Sequence, residues 1–403
     1  MKILYINAVC GVGSTGRIVA DLMQQAKSQG HEVKVACSSV ETIKDIDSKD
    51  AIIVGSRFDY YLHNILSRLT DHEGSYSRLA TRKLICRIRE FDPDIVHIHT
   101  IHGHWINYEL LFQYLSEEHK KVLWTLHDCW AFTGHCTHFI SYTCNQWKNQ
   151  CKVCKGLKGY PKCYGNGDVY RNYNKKKRVF LSIQEMKLST PSEWLASIVK
   201  QSFFGEKQVI AIPNGIDTEL FKPTDSNFRI IHGIENKTMI LGVANVWSEK
   251  KGLGDIIKLQ SYLDETYCIV LVGVTDEQKK RLPKSIISIT RTTNIHQLVE
   301  IYSTADVFIN PSYEETMGLV TVEAMACGTP VVVYDQTAVP EVVDQHSGKI
   351  VQAGNIKELY EGIVEVLAES KDTYNQTRER GLLYEKVKRY KEYFKIYDEM
   401  AGM

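Results

Sequence analysis

The sequence predicts an α/β chain built as two Rossmann-like domains, and three observations predict it. Short apolar strands alternate with helical stretches throughout, the pattern of parallel sheets covered by helices. The alternation falls into two series parted by Asn214-Gly215-Ile216-Asp217, where Asn-Gly is a turn signal. Late in the second series a β-branched run, Ala305-Asp-Val-Phe-Ile309, stops at Pro311-Ser312. An apolar pattern of helical period follows from Leu319 to Cys327, closed by Gly328.

In order, the first series places strands at Lys2–Asn7, Glu32–Ala36, Ile95–His99, Lys121–Leu126 and Lys187–Thr190. The second places them at Met239–Val243, Tyr267–Val272, Ser285–Thr290, Asp306–Asn310 and Pro330–Tyr334. A chain of 403 residues suggests two or three domains. Its 43% hydrophobic and 24% charged residues describe an ordinary globular protein, and a net charge of +1 gives no global field for nucleic acid. No apolar run approaches the roughly 18 residues of a membrane span. The start reads as a first strand rather than a signal peptide, and eleven cysteines read as thiols or metal ligands. A cytoplasmic protein is expected.

The block from Pro311 to Val333 carries most of the chemistry. Glu315 lies on the loop, Glu323 in the helix, and the amides of Gly318, Leu319 and Val320 open that helix. A helix start binds phosphate. Carboxylates on either side of it accept from hydroxyls, so the pattern fits a nucleoside diphosphate sugar.

Glu315-x7-Glu323 followed by Ala-Met-Ala-Cys-Gly-Thr-Pro-Val-Val resembles the donor-site signature of glycosyltransferase family 4, retaining enzymes of the GT-B fold. The resemblance implies two domains facing across a cleft, with Ile212-Pro-Asn-Gly-Ile-Asp-Thr-Glu-Leu-Phe-Lys-Pro223 as the hinge. It implies a final helix crossing back to the first domain. The expected domains are residues 1–211 with 386–403, and 212–385. By the same resemblance Glu315 orients sugar hydroxyls, Glu323 binds the ribose, and the loop Thr316, Met317, Gly318, Leu319, Val320 contacts the donor. No metal is required for catalysis, since backbone dipoles and cations carry the diphosphate charge.

Gly11-Val-Gly13-Ser14-Thr-Gly16 matches the dinucleotide fingerprint G-x-G-x-x-G. A nicotinamide enzyme then needs an acid at the end of the second strand. That strand ends Ala36-Cys-Ser-Ser39, without one. Gly13, Ser14 and Gly16 are better read as a loop that lets backbone approach the donor diphosphate or sugar.

In Trp124-Thr-Leu-His127-Asp128-Cys-Trp-Ala-Phe-Thr-Gly-His-Cys136, His127 ends a predicted parallel strand, where side chains project into the ligand crevice. The position matches the family's strand-end histidine beside the transferred sugar, and the phrase is similar to one in bacterial exopolysaccharide and capsule transferases. Asp128 has two roles open: holding the imidazole or acting on the acceptor. The run His97-Ile-His99-Thr-Ile-His102-Gly-His104 suggests a metal, because His97 and His99 share a strand face. Family chains end this strand with such histidines near the acceptor, so His99 is assigned to the acceptor side. Asp92-Pro-Asp94 reads as a turn.

Cys136-x7-Cys144-x6-Cys151-x2-Cys154 puts four thiols within 19 residues and makes a structural zinc a candidate, with Cys129 and Cys163 as substitute ligands. From Lys148 to Arg178 there are ten Lys and Arg against one acid, interleaved with Trp147, Tyr160, Tyr164, Tyr170 and Tyr173. This suggests a basic rim for anionic lipid or for a lipid-linked acceptor at the inner face of a membrane.

Ala244-Asn-Val-Trp-Ser-Glu-Lys250-Lys251-Gly252 resembles the family's Arg-x4-Lys-Gly element, which neutralises the leaving diphosphate. Lys251 fits the lysine. The arginine position is Val246, so Lys250 and Arg291 are candidates to compensate, and Arg291 and Thr292 are candidate nucleotide contacts. The function expected is a retaining hexosyltransferase using a UDP- or GDP-linked sugar on a glycan or polyprenyl-diphosphate-linked glycan of a bacterial surface polysaccharide. The alternatives are another GT-B enzyme, such as a nucleotide-sugar epimerase or phosphorylase, and a nicotinamide dehydrogenase.

Overall fold

The computed structural model describes residues 1–38, 44–368 and 372–402, with side chains throughout except at 372–375. Two compact units divide it: residues 1–213 with 390–403, and residues 214–389.

The first unit holds strands β1 (Lys2–Ile6), β2 (Glu32–Ser38), β3 (Ala51–Val54), β4 (Ile95–Ile98), β5 (Lys121–Thr125), β6 (Met186–Thr190) and β7 (Val209–Ala211). Between them run helices α1 (Gly13–Ser28), α2 (Arg57–Thr70), α3 (Arg78–Phe91), α4 (Tyr108–Glu117), α5 (Val169–Phe180) and α6 (Glu193–Lys200). The strands form one parallel sheet in the order β3-β2-β1-β4-β5-β6-β7. The order reverses between β1 and β4. In a doubly wound sheet the crevice outside the carboxyl ends of two such strands is where ligands bind.

The second unit repeats the plan with β8 (Thr238–Val243), β9 (Tyr267–Val272), β10 (Ile287–Ile289), β11 (Val307–Asn310), β12 (Val331–Tyr334) and β13 (Gly348–Val351). Its helices are α7 (Phe228–His232), α8 (Leu253–Leu259), α9 (Asp276–Arg281), α10 (Ile295–Thr304), α11 (Leu319–Ala326), α12 (Ile356–Ala368) and α13 (Asp372–Leu382). The sheet order is β10-β9-β8-β11-β12-β13, all parallel, with its reversal between β8 and β11. The last helix, α14 (Lys386–Ala401), carries Tyr390, Tyr393, Phe394 and Tyr397 into the core of the first unit, against Tyr5, Ile95 and Leu123.

Central strands are continuous apolar runs, buried on both faces as parallel sheets require. The strands missed from sequence, β3, β7 and β13, are all edge strands, only partly buried and three or four residues long. A half-wet edge needs less apolar sequence and leaves a weaker signal. The other edge strand, β10, is likewise shorter than expected. Ser39, expected near the end of β2, lies outside the described residues.

Candidate functional site

In the second unit the reversal point brings two loops together. One follows β8 and ends at Lys251-Gly252; the other follows β11 and ends at Gly318. Gly252 has φ +76, and a Cβ there would lie 2.2 Å from the carbonyl oxygen of Pro311, so only glycine allows this approach. Across the contact Tyr313 donates its amide to the Lys250 carbonyl at 2.9 Å. Lys250 Nζ meets Glu314 at 2.5 Å, and Lys251 Nζ makes a shorter bond to Glu315 Oε1. Glu315 is held from behind, its amide donating to Thr337 Oγ1 at 3.0 Å.

Gly318, with φ +85, turns the chain into α11. The first amides of a helix have no intrahelical acceptor and present a partial positive charge. Thr316 is half-buried and Met317 buried, and the half-buried Leu319 and Val320 form the first turn. Asn310 donates to Thr321 Oγ1 at 2.9 Å and accepts from Ser312 at 2.6 Å, fixing the strand-to-helix turn. One turn further, Glu323 accepts from Tyr302 OH at 3.0 Å. Arg291 and Thr292 are not gathered here. They follow the edge strand β10, which β9 and β8 separate from β11 in the sheet, and Arg291 is exposed. Val246, at the missing arginine, is exposed, and Lys250 is engaged by the buried Glu314.

In the first unit the reversal point gathers the histidines. Asn7 ties the ends of β1 and β4 by accepting from the Thr100 amide at 3.1 Å. The glycine loop follows: Gly11 and Gly13 have positive φ, Gly11 donates to the Gly16 carbonyl at 3.0 Å, and Gly13 and Ser14 are exposed at the start of α1. His99 Nδ1 lies 2.9 Å from His127 Nε2, and Trp124 Nε1 donates to the His99 carbonyl at 2.9 Å. His102 Nε2 meets Asp128 Oδ2 at 2.8 Å, while Asp128 Oδ1 accepts from the Trp130 amide at 2.8 Å. His99, His102, His127, Asp128 and Trp130 line one small pocket.

Burial pulls His127 down to about 4, against the attraction of Asp128, so its imidazole is neutral at pH 7. Asp128 is pushed up by burial, but His102 outweighs this and holds the carboxyl at about 2. The strand-face metal pair resolves differently. His97 sits in the core between Tyr397 OH at 2.6 Å and Thr125 Oγ1 at 2.7 Å, a satisfied buried histidine, whereas His99 turns to His127.

Among the described residues one trio brings metal-ligating atoms within 4.8 Å of one another: His63, Glu73 and His104. Hydrogen bonds and one close histidine–carboxylate contact hold it together. His63 faces Ser77 Oγ and accepts the Gly74 amide, while His104 Nδ1 lies 2.5 Å from Glu73, whose other oxygen takes the amides of Gly103 and His104. The four loop thiols of Cys136, Cys144, Cys151 and Cys154 are not gathered so closely. The Cys136 thiol shares a hydrogen bond with Cys154, holding Cys154 down to about 6, and Cys151 accepts from the Gly134 amide.

The basic stretch needs a correction. Lys176 is buried, donating to the carbonyls of Trp130 at 2.7 Å and Thr133 at 3.1 Å, and Lys175 and Arg178 both pair with Glu109. Trp147 and Tyr173 are core residues. Lys176 is structural because α5 turns that face inward, while Arg171, Lys177 and Arg178 stay exposed. Lys148, Lys152, Lys155, Lys158 and Lys162 stay exposed with Tyr160, Tyr164 and Tyr170. His102 and Lys176 do not stand out from sequence as site residues, since their partners are 26 and 46 positions away.

Two doubly wound units have the fold class of GT-B glycosyltransferases, and the family models give the same class. Glycosyltransferase Family 4 matches residues 15–220 and Glycosyl transferases group 1 matches residues 225–382. The chain belongs to glycosyltransferase family 4. It is 23% identical over 385 residues, 89% of each chain, to WcaC of Escherichia coli K12, named provisionally as a colanic acid biosynthesis glycosyl transferase. By fold it is similar to sucrose-phosphate synthase from Thermosynechococcus elongatus (TM-score 0.71, 16% identity, 100% of this chain and 99% of that one). A second likeness is to HepE from Anabaena, solved with UDP (TM-score 0.68, 13% identity, 99% and 100% covered). Among the described residues no helix is long and apolar enough to cross a membrane.

Proposed function

We propose that the protein is a retaining glycosyltransferase that moves a hexose from a UDP- or GDP-linked donor to a glycan or polyprenyl-diphosphate-linked glycan of a bacterial surface polysaccharide. The observation that carries this reading is the Lys251–Glu315 pair at the opening of α11. A diphosphate gives Lys251 a second anion and takes the first-turn amides, which releases Glu315 to accept from sugar hydroxyls. Glu323, already accepting from Tyr302, suits the ribose.

Breaking the sugar–phosphate bond builds negative charge on the diphosphate and positive charge on the sugar. Preoriented amides and Lys251 stabilise the first, and electrostatic stabilisation of this kind usually contributes more to catalysis than any other single effect. In the first unit the neutral His127 serves the sugar, and Asp128, held ionised by His102, serves the acceptor hydroxyl. WcaC's name supports an exopolysaccharide product, and the UDP and UDP-glucose complexes of HepE make uridine donors the first to test. Donor hydrolysis and transfer over a panel of UDP-, GDP- and ADP-sugars, with the product anomer read by NMR, tests the reading. Inversion at the anomeric carbon overturns retention. Sugar epimerisation, or phosphate-dependent glycan cleavage without transfer, replaces it by the epimerase or phosphorylase alternatives.

A further inference from the structure

Helix α2 presents its sides in the reverse of the usual order. The residues it buries are His63 and Ser67. Its large apolar side chains face water instead: Phe58 is 74% exposed, Tyr61 59%, Leu62 45%, Ile65 58% and Leu69 60%. Spaced at i, i+3, i+4, i+7 and i+11, they form one stripe along the helix. Packing onto the domain is polar, through His63 to Ser77 and Gly74, and a capping box of Ser56 with Asp59 fixes the first turn. An exposed apolar stripe rimmed by polar residues marks an interaction surface.

The rim is basic. Arg57 opens the helix, and Arg78, Arg82 and Lys83 are exposed on α3 beside Leu79, itself 72% exposed. At the other end α2 joins the lysine loop directly: Tyr164 donates its amide to the Arg68 carbonyl at 2.8 Å, and Arg68 reaches Tyr164 OH at 3.3 Å. That loop adds exposed Lys152, Lys155, Lys158 and Lys162, and exposed Val153.

We propose that this face docks on an anionic lipid bilayer, with α2 lying in the plane of the interface. The stripe enters the boundary between headgroups and acyl chains while the arginines and lysines meet lipid phosphates. Charge selects this occupant over a second copy of the chain, because a two-fold contact sets the same cations against one another. The docking gives a lipid-linked acceptor its address and in that sense extends the proposed function, but vesicle binding does not depend on catalysis.

Cosedimentation of the full chain with phosphatidylcholine vesicles, alone or mixed with phosphatidylglycerol, tests it. Binding to the mixed vesicles should be roughly tenfold or more stronger, and should weaken as salt rises from about 0.1 M to about 1 M, where the Debye length is about 3 Å. The triple variant Phe58→Ser, Ile65→Ser, Leu69→Ser, with unchanged circular dichroism and melting, should lose roughly tenfold or more of that binding. Ile65→Trp should show a blue-shifted emission on mixed vesicles. Equal binding to both vesicle types, or a triple variant that binds as well as the native chain, overturns the proposal. A native dimer that the triple variant dissociates, with no vesicle binding, assigns the face to a second copy. Failed donor turnover with intact vesicle binding counts against the proposed function alone.

Discussion

His99 Nδ1 and His127 Nε2 stand 2.9 Å apart with their rings stacked, linking the carboxyl ends of β4 and β5. One nitrogen donates and the other accepts, so the contact persists only while at least one ring is neutral. Burial lowers both imidazoles, and His97 behind them, well below the ordinary histidine range or, for His127, to about 4.

Stability should therefore fall in acid before any carboxylate titrates. A histidine whose folded pKa is depressed stays neutral in the fold while the unfolded chain takes up a proton below about 6.5, so the unfolded state binds more protons. The loss begins as pH falls through 6.5 and for His127 is complete near 4. Asp128 adds a second loss lower down, as pH falls from 3.8 toward about 2. Urea midpoints at pH 7.5 and 5.0 should differ clearly, and His97→Gln should narrow the gap. Identical midpoints would refute the neutral-histidine arrangement.

Glu315→Gln should lower kcat by about 100-fold if the carboxylate acts best in the transition state. Glu323→Gln should raise KM for the donor several-fold with a smaller change in kcat. Native turnover in the Glu315 variant would remove that residue from the catalytic assignment.

Gly252→Ala tests the packing of the donor loops. Its φ of +76 and the Pro311 carbonyl in the Cβ position make any side chain costly. The substitution should destabilise the protein by about 1–3 kcal/mol in a chemical melt and raise donor KM. Gly13→Ala meets positive φ in open space and should cost less, about 1 kcal/mol.

Lys176→Met removes the amine that holds the Trp130 and Thr133 carbonyls and lies 3.6 Å from the Trp130 ring centre. Because the Trp130 amide orients Asp128, transfer should fall several-fold with the donor KM little changed. A parallel rise in donor KM would place the effect elsewhere.

For the cysteine loop, elemental analysis of the purified protein decides the structural zinc. About one equivalent supports it, and less than about a tenth retires it. EDTA should leave transfer intact under conditions that do not strip a buried zinc; activity lost and restored by magnesium would overturn metal-free catalysis.

The sequence by itself determined the parallel α/β class, the central strands and the helix opening at Gly318, because apolar runs and glycines act locally. It also marked Glu315, Lys251 and His127, through local motifs that resemble those of the family. Tertiary structure decided everything that depends on distant partners. It made His97 a core residue through Tyr397, 300 positions away, and joined His102 to Asp128 across 26. It buried Lys176 within a run that reads as solvent-facing, and it turned the apolar side of α2 outward. Periodicity fixes which residues share a helix face, but which face meets the core depends on what the rest of the chain packs against it.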